Sequence, residues 1–155
     1  MGNFITEVGN KLNLENINFE EFVLSNSVHT VEDVAKECKC QPSQVVKTML
    51  FVGKKNPVLI LLSGNNRVNK NLLESFLKQK IKMATPEQVR LITAFEVGAV
   101  SPFLISASPN IISLADESLL ENDKLYMGSG QSMVLILMTS LELKKAFTGE
   151  FIGIT

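Results

Sequence analysis

Val45-Val46-Lys47-Thr48-Met49-Leu50-Phe51-Val52 is an apolar run holding a single charge. After the polar turn Lys54-Lys55-Asn56-Pro57 comes a second run, Val58-Leu59-Ile60-Leu61-Leu62, with no charge at all. Such runs bounded by turn chemistry read as strands, and the short connection makes them a candidate hairpin. On the first strand Lys47 shares a face with Val45, Met49 and Phe51, while Val46, Thr48, Leu50 and Val52 form the other. Both faces carry core-type side chains, so both are expected to be buried. A lysine fixed there loses hydration, and its pKa falls unless an anion compensates. Lys47 either snorkels out at the strand end or serves a site.

The segments on either side read as helices and further strands. Thr30 begins a helix with Val31, Val34, Ala35 and Cys38 at helical spacing and Asp33 placed like the acidic member of a capping box. Pro42 opens a short turn of helix leading into the Lys47 strand. Beyond the hairpin, Ser63-Gly64-Asn65-Asn66 is turn chemistry, and Asn69 can cap a helix with an apolar face of Leu72, Leu73, Phe76 and Leu77. A short strand is expected around residues 81–83. Thr85-Pro86-Glu87-Gln88 combines an N-cap, a first-turn proline and an N3 glutamine, predicting a short helix that carries Val89 and Ile92. Gly98-Ala99-Val100-Ser101-Pro102 interrupts this regularity. Residues 111–114, 124–127 and 133–138 supply three more strand candidates, and Thr139-Ser140-Leu141-Glu142 starts a last helix. No internal repeat and no domain-dividing linker is evident. The reading is one α/β (α+β) domain, residues 1–155, with a mixed sheet flanked by helices.

Composition limits the function. A chain of 155 residues with 45% hydrophobic content can bury a real core. A net charge of -1 argues against wholesale wrapping of nucleic acid, yet basic residues cluster over residues 54–82, among them Lys54, Lys55, Arg67, Lys70, Lys78 and Lys80. A solvated charged face is the simplest reading of that cluster. Cys38, Cys40 and His29 fall short of a four-ligand structural zinc site, and both thiols are read as reduced. The N-terminus lacks a basic region followed by an apolar stretch, and no segment reaches transmembrane length, so a cytoplasmic address and no membrane partner are expected. Gly2 and Thr6 fit the loose myristoylation pattern without a polybasic segment following directly.

The usual catalytic kits are missing. There is no G-x-S-x-G elbow, H-E-x-x-H, Walker loop or G-x-G-x-x-G, and His29, beside a helix N-cap, reads as structural. Gly128-Ser129-Gly130 lies between two strand candidates and reads as a turn. What remains is Lys47 and the 98–102 loop. Gly98 admits backbone angles closed to other residues and Pro102 fixes its own, so the loop can turn N–H groups toward an anion or oxyanion.

In combination these features resemble the YbaK and prolyl-tRNA synthetase editing-domain family of aminoacyl-tRNA deacylases. The matching residues are Thr30-Val31-Glu32-Asp33-Val34-Ala35, Val46-Lys47-Thr48-Met49-Leu50, Gly64 with Arg67-Val68, Ala84-Thr85-Pro86-Glu87, Gly98-Ala99-Val100-Ser101-Pro102-Phe103, Asp116-Glu117-Ser118-Leu119 and Gly128. They keep the family's order across about residues 25–147. The resemblance implies a mixed, strongly curved sheet flanked by helices, and hydrolysis of the ester joining a wrong amino acid to the terminal adenosine of tRNA, with no metal and no cofactor. It implies that Lys47 meets the phosphate near the tRNA 3' end, and that Gly98, Ser101 and Pro102 position substrate and water. Ala99, Val100, Gly128, Ser25 and Thr48 are then candidates for the amino-acid pocket, and Arg67 and Lys70 for tRNA contact. The partner implied is mischarged tRNA, with an aminoacyl-tRNA synthetase as a further candidate. Two departures stand out: Gln131 lies where the family's late glycine-rich loop usually has a basic residue, and Ala99 replaces a glycine often found beside Gly98.

Overall fold

The computed structural model describes residues 4–28, 30–103 and 110–155. His29 and the Met1-Gly2-Asn3 part of the myristoylation pattern lie outside them. In chain order the elements are α1 (Glu7–Leu14), β1 (Glu20–Val23), α2 (Val31–Cys38), a 3-10 turn (Pro42–Gln44), β2 (Val46–Gly53), β3 (Val58–Ser63), α3 (Lys70–Leu77), β4 (Ile81–Met83), α4 (Pro86–Thr93), β5 (Ile112–Asp116), a second 3-10 turn (Glu117–Glu121), β6 (Lys124–Gly128), β7 (Val134–Thr139), α5 (Ser140–Ala146) and β8 (Glu150–Ile152).

The expected hairpin forms: β2 and β3 pair antiparallel, with Lys47 opposite Leu62 and Thr48 opposite Leu61. It lies inside a mixed five-stranded sheet of order β4-β2-β3-β5-β8, in which β3, β5 and β8 run parallel. The remaining strands make an antiparallel ladder, β1-β7-β6, so the sheet expected from sequence resolves into two ladders. One parallel bridge, Val45 to Tyr126, links them.

Strand alternation assigns the hairpin to two cores. Val46, Leu50, Leu59 and Leu61 join Val8 and Leu12 of α1, Leu125 and Met127 of β6, Ile136 of β7 and Leu143 of α5. Phe51, Val58, Ile60 and Leu62 turn the other way, onto Leu73 of α3, Leu114 and Ile154. Every residue of β3 is buried, which is why Val58 to Leu62 are all apolar and the one polar residue, Ser63 at the strand end, has its hydroxyl bonded to Ser43 O. Lys47 and Met49 point to the α3 side and Thr48 to the α5 side; all three are half-buried.

The N-caps read from sequence are present. Thr30, Asn69, Thr85 and Thr139 each accept from the backbone N–H three residues on, and Gln88 returns a side-chain bond to the Thr85 N–H. The apolar face expected of α3 needs correction. Leu73 is fully buried and Leu77 packs beside it, but Leu72 and Phe76 are 46% and 48% exposed. An eight-residue helix packed on a core by one side presents a narrow stripe, and its neighbours sit roughly 100° further round. No helix among the described residues is long and apolar enough to cross a membrane. Cys38 and Cys40 are free thiols, and burial, helped by the nearby Cys40 and Glu37, pushes Cys38 up to about 12.

Candidate active site at the Lys47 end of β2

Lys47 is the second residue of β2, and its ammonium donates a 2.6 Å hydrogen bond to the Asn66 carbonyl. The turn that carries that carbonyl is pinned on several sides. Gly64 N–H donates to Val45 O at 2.7 Å, Ser63 Oγ to Ser43 O at 2.9 Å, and Asn66 N–H to Ser63 O at 2.9 Å. Asn66 Nδ2 donates to Ser118 Oγ at 3.0 Å, and Ser118 Oγ donates to Asp116 Oδ2. Asp116, 1% exposed, also accepts from the Ile154 N–H at 3.1 Å. A chain of bonds therefore runs from the C-terminal segment to the atom that holds Lys47. Sequence reasoning singled out Lys47 and included Asp116 and Ser118 in the motif set, but missed Asn66 as its partner; the turn chemistry at residues 63–66 was the only signal.

The electrostatics around Lys47 are incomplete. Burial lowers the Lys47 pKa, and the neighbouring Arg67 guanidinium lowers it further against a smaller opposing effect of Glu32. The Asn66 carbonyl is a neutral acceptor, and among the described residues no carboxylate forms an ion pair with Lys47. Two cations therefore stand together with more positive charge than the protein neutralises, which suits an incoming anion. Arg67 and Lys70 are both exposed, Lys70 as the first residue of α3.

The 98–102 loop is built against the end of β6. Gly98 has φ +89°, a left-handed conformation that favours glycine, and Ala99 N–H closes the turn onto Glu96 O at 3.0 Å. Ala99 O then accepts from Gly130 N–H at 2.8 Å. A Cβ on Gly128 would stand 3.2 Å from Ala99 O and closer still to the Val100 carbonyl, so glycine there is what lets the two loops meet. Ala99, Val100, Ser101 and Pro102 are buried and Gly98 is exposed, while Ser101 Oγ accepts from Phe103 N–H at 3.2 Å.

The Val45–Tyr126 bridge fixes how these parts relate. It is parallel, and Lys47 and Gly128 each stand two residues beyond it, about 6–7 Å along their strands. The loop docked on Gly128 is thus carried to the strand level of Lys47, where the two ladders part. The faces differ: Val100 and Phe103 pack into the core that receives Val46 and Leu50, the side to which Thr48 points. Among the described residues no hydrogen bond joins Lys47 to the loop. Thr48 Oγ1 is buried and has no hydrogen-bond partner among the described residues, an uncompensated hydroxyl on the loop's side of β2.

Ser25 lies apart from this group by its bonds. Its N–H and hydroxyl both donate to Glu37 of α2, at 3.1 and 3.2 Å. Ser129 and Gln131 belong to the turn after Gly128, as the turn reading expects. Ser129 Oγ donates to Val134 O at 2.6 Å, and Gln131 Nε2 donates to Ile5 O at 3.4 Å, so the position without a basic residue is tied to the N-terminal segment.

Residues 25–146 match the aminoacyl-tRNA editing domain family. The chain belongs to that family. This editing domain is 34% identical to proline–tRNA ligase of Thermotoga neapolitana over 100 residues, 64% of the chain and 17% of the ligase. It is 34% identical to proline–tRNA ligase of Aquifex aeolicus over 101 residues, again 64% of the chain and 17% of the ligase. The chain thus spans about a sixth of the length of these relatives. Among solved structures, a candidate trans-editing enzyme for prolyl tRNA synthetase superposes with TM-score 0.84 at 25% identity, covering 98% of this chain and 99% of that one. A hypothetical protein superposes with TM-score 0.87 at 22% identity over 95% and 97% of the two chains, a likeness of fold. The family, the mixed α/β fold and the relation to prolyl-tRNA synthetase all agree with the resemblance read from the motifs.

Proposed function

We propose that the chain is one free-standing editing domain, residues 1–155, that hydrolyses the ester of mischarged tRNA in the cytoplasm. The acyl groups are small, such as Cys, Ala or Ser, and the carrier is tRNA for proline or a similar tRNA. The observation that carries this reading is the half-buried Lys47 ammonium, fixed by a neutral carbonyl beside Arg67, at the strand level of the loop docked on Gly128. A phosphate near the tRNA 3' end supplies the missing anion and offsets the desolvation of Lys47. Arg67 and Lys70 extend this contact along the backbone. Gly98, Ser101 and Pro102 hold the acyl group and a water in place; Thr48, Ala99, Val100 and Gly128 bound the amino acid, with Ser25 at the margin. Water adds to the acyl carbon, the bond from that carbon to the ribose oxygen breaks, and the proton passes to the departing ribose oxygen. An aminoacyl ester is reactive enough for positioning to supply much of the acceleration. A neighbouring ribose hydroxyl of the substrate fits the assisting role that no side chain among the described residues fills.

The test is a panel of tRNAs carrying Cys, Ala, Ser or Pro, each incubated with the protein and followed for ester loss. Release above the uncatalysed rate for at least one small amino acid is expected; no release for any of them overturns the reading. A second reading, a non-catalytic tRNA- or synthetase-associated module, draws on Gln131, which is spent on the Ile5 carbonyl where a basic residue would face substrate. Salt-sensitive tRNA binding without turnover at any protein concentration would favour that module.

A further inference from the structure

Residues 53–82 hold seven of the fifteen Lys and Arg residues of the chain and only one of the sixteen Asp and Glu residues, Glu74. Arg67 and Lys70 belong to the Lys47 end. The other five, Lys54, Lys55, Lys78, Lys80 and Lys82, are all exposed and gather at the opposite end of the hairpin. β4, the edge strand, pairs there with β2, Val52 opposite Lys82 and Gly53 opposite Ile81, so Lys54 and Lys80 come next on either side. Lys55 Nζ donates to the Lys78 carbonyl at 3.2 Å, drawing the turn onto the end of α3. A shallow depression of about 380 Å³ lies between these elements, lined by Lys54, Lys80, Lys82, Gln88 and the β2 end at Gly53.

The one acidic group of the segment is engaged. Glu74 accepts from Ile81 N–H at 2.9 Å and lies 3.7 Å from Lys80 Nζ, whose side chain is 95% exposed. Among the described residues Lys54, Lys55, Lys78 and Lys82 form no ion pair. Like charges facing each other across paired strands repel, and a protein of net charge -1 has carboxylates enough to avoid the arrangement. Lysines on an edge strand do deter strand addition, but that role needs only β4 and leaves Lys54 and Lys78 unaccounted for. Point charges on long flexible stems, around a shallow depression, match a repeating phosphate backbone better than a protein surface, whose anchors are aromatic or Arg.

We infer that the Lys54/Lys80/Lys82 face is a second anion surface, which takes the sugar-phosphate backbone of the same tRNA at a distance from its 3' end. From Lys47 to Gly53 is six residues of strand, about 20 Å. The inference rests on the proposed function for the identity of its ligand, but its binding readout does not require turnover.

The experiment uses the full chain and the triple variant Lys54→Gln/Lys80→Gln/Lys82→Gln, with the triple Lys→Arg variant as the charge-preserving control. Binding of bulk tRNA is followed by fluorescence anisotropy across salt concentrations, and ester loss is followed on whole Ala-tRNA and on a short aminoacylated 3'-end fragment. The Gln variant should bind tRNA about tenfold more weakly at low salt, with a log–log salt slope shallower by about 2 to 3. Its rate on the short fragment should stay at the wild-type value, and the Arg control should keep the wild-type slope. An unchanged slope and affinity in the Gln variant overturns the inference and leaves edge protection as the role of these lysines. Wild-type tRNA affinity combined with loss of binding to a prolyl-tRNA synthetase also overturns it, in favour of an acidic protein surface. If wild type hydrolyses neither ester, the proposed function fails while the salt slope still decides the inference.

Discussion

β2 has a lysine near its start and another just past its end, and they are opposites. Lys47 is half-buried, held by a carbonyl that a chain of bonds reaching Ile154 positions, and its charge is disfavoured by burial and by Arg67. Lys54 is exposed, unpaired among the described residues, and one of several equivalent charges. Desolvation and fixed geometry give a single charge the power to place a phosphate. Accumulated charge on mobile stems gives attraction without placement. The first kind of site fails when one residue changes, and the second only when several do.

The sharpest way to break this contrast is to reverse one charge at each end. Lys47→Glu should lower deacylation by about 100-fold or more, the scale seen when one preorganised electrostatic contact is lost at a reacting centre. Lys54→Glu should lower it no more than a few-fold at physiological salt. Lys47→Arg keeps the charge but replaces a compact ammonium by a planar fork, so activity should fall between wild type and Lys47→Glu. Comparable losses at Lys47 and Lys54, measured as kcat/KM on one mischarged tRNA, would remove the distinction.

Glycine packing separates the two ends as well. Gly128→Ala brings a Cβ against the carbonyls of Ala99 and Val100, which are backbone and cannot swing aside. The variant should lose about 1–3 kcal/mol of stability, and with it the position of the 98–102 loop, so ester hydrolysis falls while tRNA affinity at the Lys54 face is kept. Gly98→Ala is the comparison for stability alone, because Gly98 belongs to the proposed site. There the new Cβ meets open space and the cost is that of a left-handed alanine at φ +89°, about 1–2 kcal/mol confined to the loop. Thermal unfolding together with kcat/KM distinguishes a displaced loop from a generally weakened fold.

The two ends were unequally legible in the sequence. Caps at Thr30, Asn69, Thr85 and Thr139 were readable because a side chain bonding its own backbone three residues on is a local event. The hairpin was readable because β3 is buried on both faces, and its first five residues are all apolar. α1, β1 and β8 went unread: the Thr6 cap of α1, accepting from Gly9 N–H, is as local as the others, whereas pairing with β7 and with β5 holds the two strands. The Glu21 carboxylate accepts from Ile5 N–H, Thr6 N–H and Thr6 Oγ, which anchors α1 to β1. At the site, Lys47 announced itself as a charge in an apolar run, but its Asn66 partner lies nineteen residues away and contributes a backbone oxygen, which no residue identity encodes. The basic cluster was visible as composition; only the β2–β4 register separates the Lys54 group from Arg67 and Lys70.

pH should act on the site through Lys47. Its pKa is lowered in the folded protein, chiefly by burial, so between that value and the ordinary lysine value the unfolded chain binds more protons. The group's contribution to stability therefore rises as pH climbs through that window, whereas phosphate binding, which needs the ammonium, falls. A bound phosphate restores the proton affinity, so kcat/KM, which reports the free enzyme, should decline at lower pH than kcat. Profiles corrected for uncatalysed ester hydrolysis test this, and coincident declines of the two parameters would count against a phosphate at Lys47.

Thr48 gives the smallest expected effect and separates a pocket residue from a packing residue. Its hydroxyl is buried on the loop's side of β2 with no partner among the described residues, which ordinarily costs about 1–3 kcal/mol. Thr48→Val keeps the β-branched shape and removes the unsatisfied oxygen, so the fold should be as stable as wild type or about 1 kcal/mol more so. A hydroxyl that serves only packing would leave the ranking of Cys-, Ala- and Ser-tRNA unchanged. A hydroxyl that meets the substrate would shift that ranking against the acyl group able to bond with it, Ser before Ala, by roughly 1–2 kcal/mol or about 5- to 30-fold. Competition between paired mischarged tRNAs reads this ratio directly, and an unaltered ratio in a more stable variant would take Thr48 out of the pocket while leaving Lys47 in place.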